Sequence, residues 1–178
     1  MTDLSKPFPA EWSVLRGLEA YFEENGFSRA IYDARWSPAA FWGVRYSIPN
    51  PPRHRWALRW HDLHHVATGF GTSVPEEGQI CAWELRALRR MGVYVGFLVL
   101  LAVGWGLLLA PLRTIRSFRF AAGGRTLLDE AVAYDAALGM TIGQLREHLR
   151  LPTSGLAGVP RRLHSRAPAR SAGSSSSG

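Results

Sequence analysis

Arg53-His54-Arg55-Trp56-Ala57-Leu58-Arg59-Trp60-His61-Asp62-Leu63-His64-His65-Val66-Ala67-Thr68 decides how this chain is read. The segment follows Ile48-Pro49-Asn50-Pro51-Pro52, a rigid connector that cannot continue a helix. It ends at Thr68-Gly69, a helix stop. As a helix it places His61 and His65 one turn apart on one face. Two ring nitrogens can then converge on one ion, with carboxylates completing the site. Asp62 adjoins the first imidazole, and Glu77 follows beyond the loop Gly71–Pro75. That loop can fold the next helix back onto the imidazoles. His64 competes with His65 as the second imidazole, and Glu76 with Glu77 as the carboxylate.

Helical spacing recurs on both sides. Trp12, Leu15, Leu18, Tyr21 and Phe22 predict a helix from about Ala10 to Asn25, stopped by Gly26. Arg29 to Tyr46 is aromatic-rich and less periodic, and Ser37-Pro38 could open a short helix there. Glu76 and Glu77 should open the helix after the loop, favoured by its N-terminal dipole. Arg125 to Leu138 predicts another helix, and Thr141 should cap a last short one ending at Leu151-Pro152. No strand pattern of convincing length is present. The expected fold is all-α: a single compact helical domain over 1–152, with a flexible, disordered basic Ser/Gly/Pro/Arg-rich tail over 153–178.

Met91 to Leu112 carries no charge and is flanked by Arg86, Arg89 and Arg90 before it and Arg113, Arg116 and Arg119 after it. Its length suits a membrane span, and equally a hydrophobic hairpin or a buried helix pair. Equal basic flanks give no orientation.

Composition narrows the classes. The 178 residues are 47% hydrophobic, ordinary for a folded domain. Of the formal charge of +7, four arginines lie beyond Leu151 with no acid among them. No nucleic-acid module accompanies that charge, so attraction to an anionic membrane surface is the better use. The lone Cys81 excludes an internal disulfide and suits a reducing compartment. Met1 to Glu11 lacks the apolar run of a secretory signal.

The spacing fits poorly to zincins, to HD-type phosphohydrolases and to di-iron bundles. It fits another family better. His61-Asp62-x-x-His65-x(11)-Glu77, with Thr68-Gly69-Phe70 and Thr72, resembles the motif of the Coq-four family of ubiquinone (coenzyme Q) biosynthesis proteins. Ile80-Cys81-Ala82-Trp83-Glu84 is similar to the family's next helix, and Leu145-Arg146-Glu147-His148-Leu149 to its C-terminal Leu-Arg-x-x-Leu element. The chain departs from the pattern at Glu76-Glu77, where the family usually has Gly-Glu.

The resemblance implies a helical, membrane-associated protein at the cytoplasmic face of the inner membrane, peripheral or hydrophobically inserted. It implies a divalent metal held by His61, Asp62, His65 and Glu77, with zinc the usual proposal and iron or manganese chemically acceptable. The implied partners are a prenylated quinone precursor and the other quinone-biosynthesis enzymes. The implied chemistry is oxidative decarboxylation at ring carbon one of a prenylated hydroxybenzoate, although no flavin or haem motif supplies an electron acceptor. The alternative is a non-catalytic prenyl-lipid-binding scaffold with a structural metal. Apolar helix faces of this kind would also suit a homodimer.

Overall fold

The computed structural model describes residues 7–41, 44–129 and 132–157. It is all-α, with one small hairpin added to the helices. The helices are α1 (Val14–Asn25), α2 (Pro52–Thr68), α3 (Val74–Glu84), α4 (Leu88–Leu109), α5 (Pro111–Gly123), α6 (Tyr134–Gly139) and α7 (Ile142–His148).

The first helix starts four residues later than its apolar spacing predicts. Ala10 and Trp12 give their carbonyls to the amides of Gly143 and Ile142, so this stretch runs alongside the start of α7. Ser13 then caps α1, its hydroxyl accepting from the Arg16 amide. Thr141 caps α7 as expected, reciprocated by Gln144 in a capping box.

Two expectations need correction. The stretch around Ser37-Pro38 is a strand, not a helix: β1 (Trp36–Phe41) pairs antiparallel with β2 (Val44–Pro49), Ala39 opposite Tyr46. Pro38 is tolerated because a two-stranded hairpin has only edges. Asn50 closes its base, its amide bonded to Arg35 O and its side chain to the carbonyls of Ile31 and Ala34. The helix expected over Arg125 to Leu138 is reduced to α6. Leu127 gives its backbone N–H to His64 Nε2 at 3.0 Å, which diverts the chain into a turn that buries Leu127 and Leu128.

The core gathers Leu18 from α1, Leu63 and Val66 from α2, Ile80 and Trp83 from α3, and Ile142 and Leu145 from α7. Residues 153–157, read as the start of the tail, form a turn packed on α2, with Leu156 and Ala157 both giving N–H to Thr68 O. The rest of the expected tail, 158–178, lies outside the described residues.

The charge-free run divides at Ala110-Pro111 into α4 and the start of α5. A glycine inside it has a structural cause. A Cβ on Gly78 would stand 2.5 Å from the Cα of Gly106, so α3 and α4 cross backbone against backbone. Gly78→Ala should destabilise the fold by about 1–3 kcal/mol through overpacking, read from urea unfolding. A change within 0.3 kcal/mol of zero, on the order of measurement scatter, would mean the crossing is loose.

The helical stretch Val74–Leu109, which α4 completes, is long and apolar enough to cross a membrane by length and composition, although the backbone leaves the helical conformation at Gly92 (φ 75°, ψ 171°). Much of α4 is uncovered in the monomer: Val93 is 94% exposed and Phe97 61%. The α5 helix is turned inside out. It buries Thr114, Ser117 and Ala121 while exposing Leu112, Ile115 and Phe118.

Candidate metal centre

Helix α2 directs three imidazoles toward α3, and each has different work. His64 is fully buried. Its Nε2 accepts from the Leu127 amide, so Nδ1 carries the proton and donates to Glu84 Oε1 at 2.5 Å. Burial lowers its pKa, which favours this neutral form. The competition between His64 and His65 is therefore settled by geometry, since both His64 nitrogens are committed to holding the fold.

His65 is equally buried, its ring stacked on Tyr21 with centroids 4.9 Å apart. Phe70 O can only accept, so His65 Nδ1 donates to it at 3.0 Å and Nε2 is the nitrogen turned toward His61 and Glu77. His61 Nδ1 lies 3.0 Å from Glu84 Oε1, which orients the ring by the same logic. The two Nε2 atoms then face each other at 3.1 Å, with Glu77 oxygens 3.2 Å from His61 and 3.5 Å from His65.

Without a metal, the two imidazoles pair with Glu77 through their protons, and an ion would replace those protons. A tetrahedral zinc with bonds of about 2.0–2.1 Å separates its ligand atoms by about 3.3 Å, close to the spacing found here. His61, His65 and Glu77 thus form a group able to hold a metal ion. Glu84 behind His61 completes a carboxylate–histidine arrangement of the kind that orients metal ligands.

The neighbouring acid is used differently. Glu76 Oε1 accepts from the Gly71 amide and Oε2 from the Ser73 hydroxyl, so it organises the loop. Asp62 is buried and accepts from the Tyr32 hydroxyl at 2.7 Å. It stands beside the three-residue group, outside the set whose ligand atoms lie within 4.8 Å of one another.

Electrostatics follow the geometry. Burial alone would lower the His61 imidazole, but Glu84 and Glu77 outweigh it and hold it well above its usual value. Burial would raise Glu77, yet His65 and His61 hold it well below the usual carboxylate range. Glu84, opposed by burial in the same way, is brought down to about 2 by His61 and His64. Asp62 is pushed up to about 6, chiefly by burial, against His61 and the Tyr32 hydrogen bond.

Glu84 was not singled out by the motif, although Glu77, Cys81 and Glu84 share one helical face at i, i+4 and i+7. Cys81 and Glu84 also form, with His61, a second group with ligand atoms close together. In Glu84, a depressed folded-state pKa means stability present above the unfolded value near about 4.3 and lost as pH falls toward about 2. Glu84→Gln should flatten the melting temperature of the metal-free protein over that interval. It should also weaken zinc binding by about 10–100-fold, the range for outer-shell partners. An unaltered acid limb would remove Glu84 from this account.

The centre opens on a cavity of about 670 Å³. Val74, Glu77, Cys81 and Glu84 of α3 and His54 and His61 of α2 line one side, while Met91, Val95, Val99, Ala102 and Trp105 of α4 form an apolar wall. His65 lies behind His61, away from the cavity lining. No protein-family model matches the chain, and no curated protein or solved structure shows significant similarity to it.

Proposed function

We propose that this chain is a metal-dependent enzyme of ubiquinone biosynthesis acting on a prenylated quinone precursor, as its resemblance to the Coq-four family implies. The observation that carries the reading is the convergence of His61, His65 and Glu77 at the edge of an apolar-walled cavity. A donor set of two imidazoles and a carboxylate, with Asp62 alongside, suits zinc and also iron or manganese. When bound, such an ion supplies Lewis acidity toward carboxylate and phenol oxygens. The protein's own part is to orient and exclude. Glu84 keeps His61 Nε2 aimed at the group, and the Val95–Trp105 side of α4 shields the ring from water and accommodates a prenyl chain. Replacing a ring carboxylate by a hydroxyl whose oxygen comes from water releases carbon dioxide, two protons and two electrons, so an acceptor has to come from elsewhere, which fits partnership with other quinone-biosynthesis enzymes.

The apolar surfaces of α4 and α5 support docking on a membrane; the cytoplasmic face of the inner membrane is the one the family resemblance implies. Leu112, Ile115 and Phe118 project outward beside Arg113 and Arg119, an arrangement suited to acyl chains below and anionic headgroups above. Combining Leu112→Asp with Phe118→Asp should weaken binding to vesicles containing phosphatidylglycerol by at least about tenfold, given roughly 1.5–3 kcal/mol per buried large side chain. Unchanged flotation with these vesicles would argue against lipid contact. A dimer that dissociates in the same variant would assign the surface to a second copy.

The functional test measures quinone intermediates in cells carrying His65→Ala or Glu77→Gln, together with the metal content of the purified proteins. Accumulation of a prenylated hydroxybenzoate is expected. Folded, metal-free variants that sustain normal quinone synthesis would leave only the scaffold reading.

A further inference from the structure

The His61 ring offers a carboxylate at each of its nitrogens. Nε2 faces Glu77 at 3.2 Å and His65 Nε2 at 3.1 Å, whereas Nδ1 faces the two Glu84 oxygens at 3.0 and 3.1 Å. Cys81 stands one turn before Glu84 on α3. Its sulfur completes, with His61 and Glu84, a group whose ligand atoms all lie within 4.8 Å of one another. The thiol is 95% shielded by its residue's burial (Cys81 is 5% exposed) and makes no hydrogen bond among the described residues. All three side chains border the cavity, which gives an ion a route to them.

We propose that His61, Cys81 and Glu84 hold a second divalent ion, with the His61 ring bridging it to the ion at the His61–His65–Glu77 group. The inference rests on that first centre and adds a neighbour to it. Glu84 can serve without giving up its structural role: Oε1 accepts from His64 Nδ1 at 2.5 Å, which leaves Oε2 for the ion. Binding displaces the His61 Nδ1 proton and the Cys81 thiol proton to solvent, since a coordinating thiol is deprotonated by the ion itself.

Charge and softness define the ligand. Two divalent ions bring four positive charges. Glu77, Glu84, the Cys81 thiolate and the bridging His61 imidazolate bring four negative ones. The filled unit adds no net charge beside the apolar wall of α4, where an unbalanced charge is costly. A thiolate among the ligands favours zinc and softer ions over magnesium, calcium or manganese.

The test titrates the full-length, reduced and metal-stripped protein with cadmium, counting bound ions by equilibrium dialysis and following the thiolate-to-cadmium band in the ultraviolet. Because Cys81 is the only cysteine, that band reports this residue alone. The wild-type protein should bind two cadmium ions per chain and develop the band. Cys81→Ser should bind one and show no band, while His65→Ala should bind one and keep it. The wild-type count and band carry the test if either variant loses its circular dichroism. One ion without the band overturns the second site and leaves the first centre standing, and two ions without it place the second ion elsewhere and overturn the site as well. One ion with the band overturns the bridge, since the two groups would then compete for His61. Failure to bind any cadmium overturns the first centre, and this inference with it.

Discussion

His65→Ala should cost the protein more than about 100-fold in zinc affinity, exceeding the range observed when only outer-shell partners are removed. The ring that is lost is the most constrained of the group. It is fully buried, stacked on Tyr21 and fixed in one tautomer by Phe70 O, so its Nε2 needs no reorganisation to bind. Glu77→Gln should act in the same direction, because its side chain, 31% exposed, supplies the negative charge between the two imidazoles. Equilibrium dialysis against zinc measures both variants, with circular dichroism as the folding control. A folded His65→Ala protein that retains wild-type affinity would refute the proposed centre. Asp62→Asn separates the fourth residue of the expected ligand set: its loss should be smaller than that of His65, since Tyr32 already engages one Asp62 oxygen.

The largest loss of stability is expected at a residue remote from the cavity. Arg146 is 2% exposed, and its guanidinium donates to Ala67 O at 2.9 Å, Thr153 O at 2.8 Å and Phe8 O at 3.0 Å. One side chain thereby ties the N-terminal segment, the end of α2 and the C-terminal turn to α7. Arg146→Met preserves most of the stem but strands three carbonyls, each worth roughly 1–3 kcal/mol before relaxation. Unfolding in urea should show a loss of about 3–5 kcal/mol. A loss below about 1 kcal/mol would mean that water takes over those acceptors as readily as the guanidinium.

The sequence disclosed the helices whose apolar positions repeat and whose ends are marked by Pro, Gly, Ser or Thr. The end of α2 at Gly69 and the cap of α7 at Thr141 are of this kind. It concealed elements defined by distant partners. The hairpin carries Pro38 and no regular alternation, and its position depends on Asn50 and Tyr94 reaching it from outside. The turn at Leu127 depends on a nitrogen of His64, 63 residues earlier in the chain. At the candidate centre, spacing placed His61, His65 and Glu77 within reach of one another but left His64 and Glu76 as equals of their neighbours. What distinguished them was where each ring or carboxylate found its other hydrogen bonds. Glu84 carried a legible signal in its helical phase with Glu77, but only the fold shows that it faces both His61 and His64. The small inner face of α5 was equally hidden, because Thr114 and Ser117 do not resemble a packing stripe.

The glycine crossing of α3 and α4 has a mechanical consequence. Gly78 directly follows Glu77, and its backbone rests on that of Gly106 with no side chain between them to absorb movement. A side-chain interface can yield by changing rotamers, whereas two touching backbones transmit displacement. Glu77 therefore travels with α4, whose other face is the broad apolar surface. The tightest point between α3 and the helix bearing that surface thus lies one residue from the carboxylate beside His61 and His65.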